Sequence, residues 1–173
     1  MLRRVHRLAS RCFGFGAGLS LALVFAIIFV NSLRRYTLGK SFEWGEELPI
    51  YLTIYGVMFG IALAYLDDRH IRFAILTDAL PEKLRRRLFA AVDLVTVAVG
   101  LLLAWSGWLF ALRRGGVEAS GLIGTLRALA ESSGADWLIA FGQMGTWQGA
   151  LAFGGGALAL AAALRFAARL GER

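Results

Sequence analysis

At 173 residues the chain has the length of one soluble domain, but 58% of it is hydrophobic, more than one soluble core needs. Its formal charge of +7 lies between apolar blocks and at the ends, which excludes a nucleic-acid interface and leaves membrane lipids as the partner of that charge. The single cysteine, Cys12, excludes an intramolecular disulfide and any Cys-x-x-Cys redox or metal pair.

Four apolar stretches, residues 13–33, 48–66, 94–112 and 145–164, dominate the sequence. Nineteen residues of helix reach about 28 Å, close to the ~30 Å hydrocarbon layer. The runs are continuous and lack two-residue alternation, which predicts helices and not a barrel. The expected fold is an all-α integral membrane protein, one domain over residues 1–173, with four transmembrane helices and short interfacial amphipathic segments.

The first stretch follows Arg3, Arg4, Arg7 and Arg11. Its apolar run is too long for a signal peptide and lacks a small-x-small cleavage site, so a retained first helix is expected. Gly14 and Gly18 share one face of it. Residues 36–47 are mostly polar with Phe42 and Trp44 embedded, as suits a segment in the headgroup region. The second helix opens with Glu46 and Glu47 before Pro49, where carboxylates complement a helix N-terminus. Gly56, Gly60 and Ala64 form a small-residue stripe along it, suited to helix contact.

The middle loop carries His70 between Arg69 and Arg72, an ordinary interfacial setting. Leu80-Pro81 then breaks the chain before a basic helix start over residues 82–87. Asp93 is expected in the first turn of the third helix, complementing its dipole. That helix has its own stripe of Gly100, Ala104, Gly107 and Ala111. Farther on, Leu122, Ile123, Leu126 and Leu129 fall at helical spacing and predict a short amphipathic surface helix. The apolar region from Trp137 is read as interfacial up to about Gly145, where the fourth span begins. Its run Gly154-Gly155-Gly156 allows either a bend or a close neighbour.

Thirteen of the 19 Lys and Arg residues fall at the two termini and the middle loop, and six in the other two loops. The positive-inside rule then predicts both termini in the cytoplasm. The helix centres hold no ionisable residue, which speaks against a self-sufficient carboxylate-driven carrier. His6 and His70 do not face each other at mid-depth, so no haem site is expected. No catalytic residue, cofactor or metal site is expected either. On the residues alone, a stand-alone small membrane transporter and a membrane assembly or sensor protein both stay open.

One string of residues narrows this. Asn31, Arg35-Tyr36, Trp44, Glu46-Glu47-Leu48, Tyr51-Leu52, Gly60 with Ala62 and Ala64, His70-Ile71 and Leu80-Pro81 follow one another over about 50 residues. Together with four helices and a basic N-terminus, they resemble the DctQ-like small membrane subunit of tripartite ATP-independent periplasmic (TRAP) transporters. The resemblance implies a non-enzymatic component of the bacterial inner membrane. Its partners would be a large multi-helix membrane transport subunit and an extracytoplasmic substrate-binding protein, and the system would take up an organic anion on a sodium gradient. It also implies that Arg35, Trp44, Glu46, Glu47, Tyr51, Gly56, Gly60 and His70 serve a subunit interface or a structural motif.

Overall fold

The computed structural model of the protein describes residues 2–67 and 80–171. Helix α1 (Leu2–Leu38) and α2 (Trp44–Leu66) form an antiparallel pair. They are followed by α3 (Glu82–Arg114), a short α4 (Ser120–Ser133), a 3-10 helix (Asp136–Gly142) and α5 (Met144–Gly171). Four of these, α1, α2, α3 and α5, are long and apolar enough to cross a membrane. His70, Arg69 and Arg72 lie outside the described residues.

The helices outrun the apolar stretches. At 1.5 Å per residue, α1 reaches about 55 Å and α3 about 50 Å, against a hydrocarbon layer of ~30 Å. The excess lies mainly at the Arg-bearing start of α1 and the Glu82–Arg87 start of α3. No breaker separates that basic start from the apolar run, so α3 is one helix. Asp93 therefore sits eleven residues inside α3 and not in its first turn, which corrects the dipole-capping expectation.

Helix ends follow local chemistry. Gly39, at φ 69°, adopts the left-handed conformation that stops α1, and its N–H donates to the Arg35 carbonyl (3.1 Å). Gly134, at φ 68°, ends α4 in the same way.

Helix α5 is the hub. It packs along α3 on one side and against α2 on the other, while α1 packs mainly on α2. Among the described residues α1 and α3 share no extended packing. The α3 stripe is where α3 meets α5. A Cβ at Gly100 would lie 2.7 Å from the Ala159 nitrogen, and one at Gly107 2.5 Å from the Ala152 nitrogen. Gly155 closes on Ala104 in return, and a Cβ at Gly154 would meet Met58 at 2.5 Å. The glycine run thus admits two neighbours at once, and α5 continues unbroken through it.

The α1 and α2 stripes behave differently. Gly16, not Gly14 or Gly18, takes the close contact, because the Phe59 ring fills the space beside it (2.8 Å to a Cβ). Gly56 meets Ser20, whereas Gly60 faces open space. Phe13, Ala62, Leu66, Ala157 and Ala161 form the apolar core where α1, α2 and α5 converge.

Candidate interaction site at the end opposite the termini

Contacts sort the chain into two ends. At the termini end, His6 Nε2 donates to the Leu66 carbonyl (3.2 Å) and the Ser10 hydroxyl to Asp67 (3.2 Å). Asp93, 2% exposed, accepts from Arg169 Nε (2.6 Å) and from the Tyr65 hydroxyl (2.7 Å), joining α3, α5 and α2. The Arg169 guanidinium also lies 4.9 Å from the centre of the Phe89 ring. Spacing alone gave no sign of this triad, because its members stand 28 and 76 residues apart.

The far end holds most of the residues singled out in the sequence. Glu47, in the first turn of α2, uses both carboxylate oxygens within the chain. One accepts from the Tyr51 hydroxyl (2.5 Å) and the other from the Gly121 N–H (2.7 Å) at the start of α4. That N–H is one of the first-turn donors a helix leaves unpaired, so Glu47 caps α4 from another helix. The approach requires a glycine: a Cβ at Gly121 would lie 2.9 Å from both the Glu43 carbonyl oxygen and Glu47 Oε2. The expectation that Glu47 complements only its own helix therefore gives way to a bridge between α2 and α4.

Tyr51 extends the bridge. Its ring stacks on Trp147 of α5 (5.2 Å, 14°), and its hydroxyl lies 3.2 Å from Met144 Sδ. Trp147 also receives Tyr55 edge-on (6.4 Å, 78°), and its Nε1 donates to the Phe141 carbonyl (2.9 Å). Tyr55 donates to the Thr146 carbonyl (2.6 Å). Tyr51, Ala119 and Leu122 are buried, with Trp44 and Leu48 packed on them. Antiparallel backbone bonds, Ala119 N–H to Gly142 O (2.8 Å) and Met144 N–H to Val117 O (2.8 Å), close the α4 excursion into a platform. Trp147, Tyr55 and Gly121 belong to this network without having been singled out in the sequence. Aromatic residues one turn apart at a span boundary, as in Tyr51 and Tyr55, were the available signal.

The remaining residues point elsewhere. Asn31 is buried, and its Oδ1 accepts from the Phe42 N–H (2.7 Å), fixing the turn between α1 and α2. Arg34 covers the Phe42 ring at 3.8 Å, and Phe42 stacks on Trp44 (5.0 Å). Arg35 and Glu46 are exposed and border a groove of about 440 Å³ between α1 and α2. Among the described residues no group of His, Cys, Asp and Glu is arranged to hold a metal.

Residues 24–172 match the family described as tripartite ATP-independent periplasmic transporters, DctQ component. The chain belongs to the DctQ family. With its four apolar helices it is a multi-pass protein of the bacterial inner membrane. It is 29% identical over 84 residues to the sialic acid TRAP transporter small permease protein SiaQ of Vibrio cholerae, covering 48% of this chain and 49% of SiaQ. It is 30% identical over 105 residues to the ectoine TRAP transporter small permease protein TeaB of Halomonas elongata, covering 61% and 54%. A 63-residue stretch is 33% identical to the sialic acid TRAP transporter permease protein SiaT of Haemophilus influenzae, covering 36% of this chain and 10% of SiaT. The aligned region spans about half the length of the small-permease relatives.

Proposed function

We propose that the chain is the non-catalytic small membrane subunit of a TRAP-type transporter. In this reading it braces a large multi-helix membrane subunit, which takes up an organic anion such as a carboxylate, delivered by an extracytoplasmic binding protein and driven by sodium. The observation that carries the proposal is the family match over residues 24–172. The arrangement of the helices agrees with it. Helices α1 and α3 stand on opposite flanks of α2 and α5, and the ion pair of Asp93 with Arg169 lies at the termini end. The surface we assign to the large subunit is the far-end platform held by Trp44, Glu47 and Tyr51, together with a separate open position at Gly60 nearer the termini end of α2. Gly56 serves packing between α1 and α2.

The thirteen-to-six split of basic residues supports a cytoplasmic termini end. Reporter fusions after Lys40 and Gly116 should then read as outside, and fusions after Arg173 as inside; an inside signal at Lys40 would overturn the orientation. The subunit role is tested by reconstitution. Proteoliposomes with this chain alone should show no sodium-driven organic-anion uptake, and adding the large subunit and the binding protein should restore it. Full uptake by this chain alone would make it a stand-alone transporter instead.

A further inference from the structure

The α1–α2 pair is open on one side near its far end. The groove there runs along α1 from Val24 to Arg35 and along α2 from Glu46 to Thr53. The eleven helical rises from Val24 to Arg35 give it a length of about 16 Å, close to half of the ~30 Å hydrocarbon thickness, which is one leaflet. Toward the membrane centre the two helices close on each other: a Cβ at Gly56 would reach Ser20 Cβ at 3.0 Å, and Phe59 fills the space beside Gly16. A transmembrane helix of a partner needs a face that continues across both leaflets, and this groove stops in the middle.

Its lining is graded along the same direction. The deep part holds Val24, Ile28 and Ile50, the last two exposed, with Thr53, whose hydroxyl is turned back onto the Pro49 carbonyl (2.7 Å). Its mouth carries one cation and one anion, Arg35 and Glu46. Both are exposed, and among the described residues neither side chain has an ion-pair or hydrogen-bond partner. An amphiphile one leaflet long, with a negative and a positive group in its head, complements this pattern. Arg35 offers a planar fork of donors suited to a phosphate, and Glu46 accepts hydrogen bonds from an ammonium.

We propose that this groove is a site for one zwitterionic aminophospholipid, with its phosphate on Arg35, its ammonium on Glu46 and an acyl chain along Val24, Ile28 and Ile50. Choline heads carry no N–H to donate to Glu46, and purely anionic heads meet its charge unfavourably. The site does not depend on the subunit role, since the chain itself builds all of it.

The test uses the full chain, purified in mild detergent and titrated with phosphatidylethanolamine, phosphatidylcholine and phosphatidylglycerol, with bound lipid counted by native mass spectrometry. The wild type should retain one phosphatidylethanolamine, about tenfold more tightly than either other lipid, the weight of one charge-assisted hydrogen bond. Glu46→Gln should level phosphatidylethanolamine with phosphatidylcholine, and Arg35→Gln should weaken both. Ile50→Trp, at an exposed wall position, should reduce retention of all three by filling the acyl path. Equal retention of the three lipids by the wild type would overturn the proposal. So would variants that keep wild-type lipid binding but lose copurification with the large subunit, a result that would give the groove to a protein segment.

Discussion

At each end of the protein a carboxylate joins separate helices, Glu47 at the far end and Asp93 at the termini end, yet the two ties are made differently. At the far end Glu47 is held by a phenol and a backbone N–H, with no cation among the described residues, and it is half-buried. At the termini end Asp93 is almost wholly buried and is held by a guanidinium as well as a phenol. The contrast follows from depth. A carboxylate next to water can remain ionised on neutral donors, whereas one taken out of water requires an opposite charge or it gives up its own. The first arrangement can exchange its donors for water at modest cost. The second acts as a lock, because opening it exposes an unpaired charge to a poorly solvating environment.

The largest effect should therefore come from breaking the lock. Arg169→Ala leaves the Asp93 carboxylate buried without its cation, and removing one member of a buried pair costs about 3–5 kcal/mol. The double variant Asp93→Asn/Arg169→Gln removes both charges and should recover most of that loss. Thermal or denaturant unfolding of the purified chain in detergent measures both. An Arg169→Ala protein as stable as the wild type would break the comparison, since Asp93 would then be no more demanding than Glu47.

How far each end could be read from the sequence reflects the same difference. Span number, the surface helix carrying Leu122 and Ile123 and the glycine contacts of α3 all followed from period and residue size, which are local properties. Glu47 and Tyr51 lie four apart on one helix face, so their contact was within reach of spacing. Gly121 was not: it meets Glu47 across 74 residues, and nothing near either position announces the other. Asp93 was misplaced for a related reason. Its position was judged from the start of the apolar run, whereas the helix begins at Glu82, stabilised by the ion pairs of Glu82 with Arg85 and Arg86. Gly14 and Gly18 had the spacing of a contact face, but Phe59 selects Gly16. Spacing marks which residues permit a close approach; the partner's side chain decides which of them receives it.

The second prediction concerns the far end. Glu47→Gln keeps the size of the side chain but supplies one acceptor oxygen where two donors converge, and it turns an NH₂ group toward one of them. The loss should be about 1.5–3 kcal/mol, the range for hydrogen bonds to a charged group. It should appear as faster amide exchange over α4 while α3 and α5 remain protected. Unchanged exchange in α4 would show that the backbone bonds of Ala119 and Met144 hold the platform alone.

The smallest effect separates the two neighbouring carboxylates. Glu46 stands one residue before Glu47 in the same first turn of α2, so both feel the same helix dipole, but Glu46 is exposed and its side chain makes no hydrogen bond or ion pair among the described residues. Glu46→Gln should cost only about 0.3–1 kcal/mol of stability, the weight of a charge near a helix N-terminus at the surface. Exchange over α4 should match the wild type. Tyr51→Phe falls between the two: it removes one of Glu47's two donors but keeps the ring on Trp147, and should cost about 1.5 kcal/mol, the low end of the range for a hydrogen bond to a charged group. The ordering Glu47→Gln, then Tyr51→Phe, then Glu46→Gln is the decisive readout, measured as unfolding free energy in one detergent. If Glu46→Gln proved as costly as Glu47→Gln, both carboxylates would be acting through the dipole, and the bridge to Gly121 would contribute little to holding the platform in place.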